Sequence, residues 1–167
     1  MDAFAMHPYM RTSELPPTDT HAASTTITLA DYGKLTALLT RAFAGTRQKG
    51  RSLPIYYTEF GVQTRVPPAK LHFYEETDSP ARTDSVSFPL QAAYYRRALE
   101  LAYCQPTVRG LFVFHTFDEP NLGGWQSGLY FADGSPKPSL PAFRTAAAAA
   151  RAARLTRCTG TTFVRIE

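Results

Sequence analysis

The chain has 167 residues, the size of a single domain, and its 44% hydrophobic and 19% charged residues are typical of a globular protein with a buried core. The formal net charge is +4, but the 18 Lys and Arg residues are scattered and form no basic–aromatic motif, so we predict no nucleic-acid partner. No stretch approaches the roughly 20 apolar residues of a membrane helix, so we predict no membrane partner. Residues 1–7 lack the basic region followed by an apolar region that is typical of a signal peptide, and the N-terminal segment therefore predicts no location in the cell.

Three short apolar runs predict β-strands, and they lie at 3–6, 53–57 and 111–114. Each run is followed by a segment in which apolar residues recur at spacings of three and four, which indicates amphipathic helices. We predict these helices over 28–45, 87–105 and 139–155. Thr28 and Ser87 are candidate N-caps, and Asp31, three residues after Thr28, makes a pattern close to a capping box.

The lengths of the connections differ at the two ends of the predicted strands. The connections from helix to strand are short, at 45–52 and 105–109. Those from strand to helix are long, at 10–27, 62–87 and 118–139. Alternating strands and helices favour parallel strands joined by crossover helices, and long loops without regular structure are usually functional. A TIM barrel builds its site from the loops that follow its strands, so this asymmetry favours a barrel.

Sequence strings at the strand ends resemble a known superfamily. The second strand and its continuation resemble the seventh strand of the clan A glycoside hydrolases, which include the family 5 cellulases, in the string LPIYYTEFG at 53–61. The string AMHPY at 5–9 is similar to the sixth strand of that clan. The strings GWQSGL at 124–129 and DGSPKP at 133–138 resemble the stretch that follows its eighth strand. The resemblance covers roughly residues 2–155. It implies an α/β fold, a partial (β/α)8 TIM barrel of roughly strands 6 to 8, with one domain over 1–158 and a tail at 159–167.

The resemblance implies that Glu59 is a catalytic nucleophile, since the clan places its nucleophilic glutamate at the end of this strand and hydrogen-bonds it through a tyrosine, here Tyr9. The chemistry supports this role, because a retaining glycosidase needs a fixed, ionised carboxylate to attack the anomeric carbon. A rigid strand end with a hydrogen-bonding neighbour supplies such a group. The alternative is a glutamate that caps the strand or forms a salt bridge.

Four residues are candidate substrate-binding residues: His7, Tyr9, His115 and Trp125. Trp125 is the single Trp of the chain, and aromatic faces stack on the C–H faces of sugars. It follows the third strand by a loop instead of ending it, which departs from the commonest clan pattern. His7, Tyr9 and His115 are also compatible with purely structural roles at the rim.

The resemblance lacks one essential part. The clan places its acid/base glutamate in an Asn-Glu pair on the fourth strand, and the sequence contains no such pair. Glu119 is the one candidate in the chain for the second carboxyl group, but it follows a strand on which the clan does not place its acid/base residue. A closed barrel needs about 250 residues. We therefore expect the chain to belong to a longer enzyme or to need a complement, to be inactive alone, and to self-associate through its open sheet edges.

These features together predict a retaining O-glycosyl hydrolase that acts on a poly- or oligosaccharide or glycoside and uses no cofactor. Two alternatives remain open. In a metal-dependent barrel hydrolase, a divalent cation would be bound by His7, Glu59, His115 and Asp118. In a non-catalytic remnant, the same residues would bind carbohydrate without turnover.

The two cysteines are weak indicators of compartment. Cys104 ends the second predicted helix and Cys158 follows the third, so both are expected at the same end of the sheet. Two independent buried thiols are the favoured interpretation, and a disulfide is the alternative if the parent enzyme is secreted.

Overall fold

The computed structural model describes residues 1–75, 83–155 and 158, and within them one sheet of three parallel strands. The strands, paired in the order β1-β2-β3, are β1 (Phe4–Met6), β2 (Ile55–Phe60) and β3 (Val108–Val113). A helix follows each strand, and these are α1 (Tyr32–Ala42), α2 (Phe88–Cys104) and α3 (Leu140–Arg151), with 3-10 turns at Leu29–Asp31 and Pro68–Phe73. The predicted α/β alternation and the predicted parallel strands are confirmed.

Two strands are longer than predicted, and both extensions come from pairing. β2 extends to Phe60, so Glu59 lies within the strand and not beyond its end. β3 begins at Val108, before the predicted start, because Val108 pairs with Ile55 and the Ile55 N–H donates to the Thr107 carbonyl at 2.9 Å. A partner strand can thus recruit residues such as Arg109 and Gly110 that local preference would leave out.

A buried carboxylate precedes α1. Asp31 accepts hydrogen bonds from the backbone N–H and hydroxyl of Thr28, both at 2.9 Å, and from the backbone N–H and Nδ1 of His21, at 2.7 and 2.9 Å. Burial would raise the pKa of Asp31, but these hydrogen bonds stabilise the ionised form and lower the pKa below its ordinary value of 3.8. The predicted contact between Asp31 and Thr28 is present, although regular α-helix begins only at Tyr32.

The other two helices begin close to where the sequence predicts. The Ser87 hydroxyl accepts a hydrogen bond from the Leu90 N–H at 3.4 Å, so Ser87 is the N-cap of α2. α3 ends at Arg151 and not at 155 as predicted, since Ala153 adopts a left-handed conformation with φ of 52°. A residue in that region ends a helix whatever the helix propensity of the alanines before it.

Cys104 and Cys158 form a disulfide, with their Cα atoms 5.5 Å apart. The interpretation as two independent thiols was therefore wrong. α2 and α3 pack against each other, and this packing brings the C-terminal end of α2 to the chain that follows α3. Helix patterns in the sequence do not determine that packing. The predicted tail at 159–167 lies outside the described residues.

The core lies between the helices and one face of the sheet. Ile55 and Tyr57 of β2 are buried there with Leu35 of α1 and Leu101 of α2. Because alternate strand residues point to opposite faces, the residues between them form the second face. That face is open, with Tyr56 37% exposed and Phe112 55% exposed. Among the described residues, none of the helices is both long and apolar enough to cross a membrane.

Candidate active site

Glu59 lies at an irregularity in the pairing of β2 with β3. Tyr57 pairs with Leu111 and Phe60 with Val113, so β2 advances three residues where β3 advances two. An extra residue of this kind is a bulge, which changes the direction of the following side chains. Phe60 consequently returns to the buried face with Tyr57, and the Glu59 side chain is left 31% exposed at the C-terminal end of the strand.

Two side chains from the segment after β1 contact the Glu59 carboxylate. The Tyr9 hydroxyl donates a hydrogen bond to Oε2 at 3.1 Å, and His7 Nδ1 lies 3.3 Å from the same oxygen. The expected hydrogen bond between Tyr9 and Glu59 is therefore present. Burial, with the hydrogen bond to Glu59 and its negative charge, raises the pKa of Tyr9 far above its ordinary value. Tyr9 thus keeps its proton and remains a donor to Glu59.

Three aromatic rings form a wall beside this carboxylate. The ring centroids of Tyr9 and Trp125 are 5.4 Å apart, and Phe114 meets both rings edge to face, at 6.2 Å from Tyr9 and 5.5 Å from Trp125. These separations are those of directly packed aromatic pairs. The fold thus brings two sequence-predicted residues, His7 and Tyr9, to Glu59, and a third, Trp125, to the ring of Tyr9.

A buried ion pair supports the loop that carries Trp125. Lys137 Nζ lies 2.7 Å from Asp118 Oδ1, and both side chains are fully buried. Lys137 also donates to the Gln126 carbonyl and the Thr64 hydroxyl, each at 2.8 Å. Burial raises the pKa of Asp118 and lowers that of Lys137, and their mutual attraction opposes both shifts. The backbone next to Trp125 is thereby attached to a rigid internal network.

The Asp118 carboxylate has two further donors. The Tyr74 hydroxyl donates to Oδ2 at 2.8 Å, and the Gly128 N–H donates to Oδ1 at 2.9 Å. Gly128 is required at this position, since a Cβ there would lie 2.5 Å from the Asp118 nitrogen. The carboxylate is consequently enclosed by protein groups and unavailable to a ligand.

His115 is at the end of β3 but does not contact Glu59. Its ring stacks on Phe114 with centroids 3.8 Å apart, and its Nε2 lies 3.6 Å from Glu119 Oε1. Its backbone has φ of 75°, a left-handed conformation that is costly for a residue with a side chain. The fourth predicted site residue therefore belongs to the same aromatic wall, on the Phe114 side, and pairs with a different carboxylate.

The four residues considered as metal ligands are divided among three separate contacts. His7 contacts Glu59, His115 contacts Glu119, and Asp118 contacts Lys137. Within residues 1–75, 83–155 and 158, no group of three or more His, Cys, Asp or Glu side chains is arranged to hold a metal ion. In the described part of the chain, the four residues therefore do not form the metal site that the metal-dependent alternative requires.

The site is open and not an enclosed pocket. Tyr9, Phe60 and Trp125 line a cavity of only about 30 Å³, roughly the volume of one water molecule. A cavity of about 360 Å³ lies at the opposite end of the sheet, beside Leu53 and Thr107, which precede β2 and β3. Ligand pockets usually measure about 300–1,000 Å³. The surface around Glu59 is therefore shallow and contains no cavity of that size among the described residues.

Sequence reasoning missed two residues that organise this wall. The sequence pattern predicts Phe114 as a strand residue, and the structure shows that it packs against Tyr9, Trp125 and His115. Lys137 belongs to the string at 133–138, and the pattern of that string indicates no partner for it. Its separation of 19 residues from Asp118 gives no periodic signal from which a contact could be inferred.

Comparison with known proteins gives similarity at the level of structure only. No protein-family model and no curated protein matches the sequence. The solved structures that resemble it include the β-glucuronidase of Lactobacillus rhamnosus, with a TM-score of 0.47, 15% identity and 87% of this chain covered. They also include the β-glucuronidase of Faecalibacterium prausnitzii, with a TM-score of 0.48, 18% identity and 89% of this chain covered.

A third neighbour is the β-glucuronidase of Bifidobacterium dentium in complex with coumarin-3-O-glucuronide, with a TM-score of 0.47, 18% identity and 87% of this chain covered. The chain spans 22%, 22% and 20% of these three proteins, about a fifth of their length. These neighbours are glycosidases, and none is a family 5 cellulase. Similarity of this extent does not assign a function to the chain.

Proposed function

We propose that this chain supplies the nucleophile side of a retaining glycoside hydrolase site, as roughly strands 6 to 8 of a (β/α)8 barrel. The observation that carries the proposal is the hydrogen bond from Tyr9 to Glu59 at 3.1 Å, beside the ring of Trp125. A carboxylate held by a phenol next to an aromatic face matches what attack at a sugar requires. The phenol fixes the attacking oxygen, and the aromatic face binds the C–H surface of the ring.

In the proposed reaction Glu59 attacks the anomeric carbon of an O-glycoside. The bond from that carbon to the leaving oxygen breaks, a second carboxyl group protonates this oxygen, and a covalent glycosyl ester forms on Glu59. The second group then deprotonates a water molecule, which hydrolyses the ester with net retention of configuration. No redox change or cofactor is needed for these steps.

The second carboxyl group must lie roughly 5–5.5 Å from the nucleophile in a retaining enzyme. Among the described residues, those whose side chains contact the Glu59 carboxylate are Tyr9 and His7, and neither is a carboxylic acid. We therefore place the acid/base on another part of a complete barrel, facing the open side of the wall. The substrate-binding roles of His7, Tyr9, His115 and Trp125 are part of the same proposal.

Replacement of the nucleophile tests the proposal in the complete enzyme that contains this chain. Glu59→Gln should lower kcat by about 10³-fold or more, because it removes the attacking charge but keeps the shape of the side chain. Saccharide binding should change little. The measurement is steady-state hydrolysis of chromogenic glycosides, with NMR of the first-formed anomer to establish retention.

Glu100→Gln is the matched control, since Glu100 is a helical glutamate of α2 that pairs with Arg97. It should leave kcat unchanged. Near-normal kcat for Glu59→Gln would exclude Glu59 as the nucleophile. Saccharide binding by the complete protein without any turnover would instead favour the non-catalytic carbohydrate-binding alternative.

A further inference from the structure

The contacts of His115 indicate which group of the His115–Glu119 pair is open to a ligand. Nδ1 of His115 is buried and, among the described residues, accepts or donates no hydrogen bond. Nε2 faces the Glu119 carboxylate at 3.6 Å, which is within ion-pair range but too long for a hydrogen bond. The imidazole thus has one nitrogen inside the protein and the other directed at the Glu119 carboxylate.

The Glu119 carboxylate, by contrast, is accessible and retains its capacity to accept. Its side chain is 39% exposed, and within the described residues no hydrogen bond is donated to either carboxylate oxygen. An ionised carboxylate offers about four acceptor positions. Its backbone is fixed beside Trp125, since the Glu119 N–H donates to the Trp125 carbonyl at 3.0 Å. An acceptor group is therefore held at the aromatic wall with its acceptor positions unused.

The loop provides space for this carboxylate. A Cβ added at Gly124 would lie 2.1 Å from Glu119 Oε2 and 3.0 Å from its Cδ. Only a glycine at this position lets the Glu119 side chain fold back over the turn from Asn121 to Trp125. The strained backbone of His115, with φ of 75°, directs the imidazole at the carboxylate from the other side.

We propose that Glu119 is a specificity-determining residue of this site, accepting hydrogen bonds from the hydroxyl groups of a neutral sugar and disfavouring sugars that carry a carboxylate. The inference rests on the proposed glycoside-binding function. The Glu119 carboxylate makes this part of the wall electronegative, so a uronic acid would bring a second negative charge to a partly desolvated position. His115 acts through Glu119 as a positioning residue. The acid/base function stays with a group elsewhere.

The test uses a ligand pair that differs only at one carbon: 4-nitrophenyl β-glucoside and 4-nitrophenyl β-glucuronide. Their dissociation constants are measured by calorimetry in the complete enzyme, with turnover blocked by Glu59→Gln. The glucoside should bind at least tenfold more tightly than the glucuronide. Adding Glu119→Gln should reduce this preference by roughly tenfold, since a charge-assisted acceptor is lost and the repulsion is removed.

Gly124→Ala gives an independent variant that leaves Glu119 in the sequence. The added methyl group should displace the flexible end of the Glu119 side chain and reduce the preference as Glu119→Gln does. Gly45→Ala is the matched control, because nothing lies within 4 Å of a Cβ at that position, and it should leave the preference unchanged.

Three results would overturn the inference: tighter binding of the glucuronide, an unchanged preference in both Glu119→Gln and Gly124→Ala, or no binding of either ligand. The proposed function fails separately, if Glu59→Gln still turns over substrate. The preference can in that case still be measured as a ratio of KM values.

Discussion

The hydroxyl of Tyr9 donates a hydrogen bond to the Glu59 carboxylate at 3.1 Å. Tyr9→Phe removes this donor but keeps the ring that packs against Trp125. Hydrogen bonds to charged groups contribute about 1.5–3 kcal/mol, so we expect kcat in the complete enzyme to fall roughly 10- to 100-fold. KM should change less, since the aromatic wall is retained.

Tyr103→Phe is the control for this substitution, because Tyr103 is an exposed residue of α2 on the helical side of the sheet. Steady-state kinetics on a chromogenic glycoside would compare the two variants. An unchanged kcat in Tyr9→Phe would show that the hydroxyl does not position the nucleophile, and Glu59 would then have to be held by His7 alone.

At the scale of single elements, the entry into α1 depends on the ionised form of Asp31. Because the folded-state pKa of Asp31 is below its ordinary value of 3.8, Asp31 stabilises this entry at pH values above 3.8. That contribution is lost as the pH falls through the lower folded-state pKa. Asp31→Asn should therefore increase hydrogen exchange in segment 28–42 at neutral pH, and the difference from the unmodified protein should shrink in acid.

Hydrogen-exchange mass spectrometry at matched pH values measures this effect locally. Asp2→Asn, which changes an exposed carboxyl group in the segment before β1, is the control and should have no effect on segment 28–42. If the difference between Asp31→Asn and the unmodified protein does not shrink as the pH is lowered, the ionised carboxylate is not what stabilises the helix entry.

The bulge in β2 explains why the sequence pattern does not predict the face of the sheet to which the Glu59 side chain points. Strict alternation from Ile55 and Tyr57 would direct residue 59 to the buried face. The irregularity between Tyr57 and Phe60 puts Phe60 there instead and leaves Glu59 at the open end of the strand. A bulge depends on the register of two strands, and the pattern of one strand does not reveal it.

For the whole molecule, the exposed face of the sheet and its two edges are the dominant feature. Tyr56 and Phe112 lie on that face, and β1 and β3 each have a neighbour on one side only among the described strands. Open edges and apolar faces promote association. We therefore expect residues 1–167, expressed alone, to elute from size-exclusion chromatography as oligomers or aggregates, and to show no glycosidase activity and no sharp thermal transition.

Phe112→Lys should shift this elution toward the monomer, because it places a charge on the exposed face. Leu38→Lys is the control, since Leu38 is exposed to a similar extent on α1, away from that face, and it should not change the elution. A monomeric chain that melts cooperatively and cleaves a chromogenic glycoside would contradict the proposal that another part of the barrel completes this site.

The strand–helix alternation, the parallel sheet and the location of Glu59, His7 and Tyr9 at one end of that sheet could be predicted from the amino-acid sequence. These follow from apolar periodicity and from the order of short and long connections, both of which are local properties of the chain. The Tyr9–Glu59 contact was expected from the resemblance of these two strands to the sixth and seventh strands of the clan A glycoside hydrolases, and it is present.

The Cys104–Cys158 disulfide, the Asp118–Lys137 pair and the orientation of the His115 ring could not be predicted from the sequence and are seen in the folded chain. Each depends on the packing of segments that are far apart in the chain or on a backbone conformation that sequence preference disfavours. Burial of Lys137 is unfavourable except with the acceptors of Asp118, Thr64 and Gln126 in place, and no local pattern specifies their convergence.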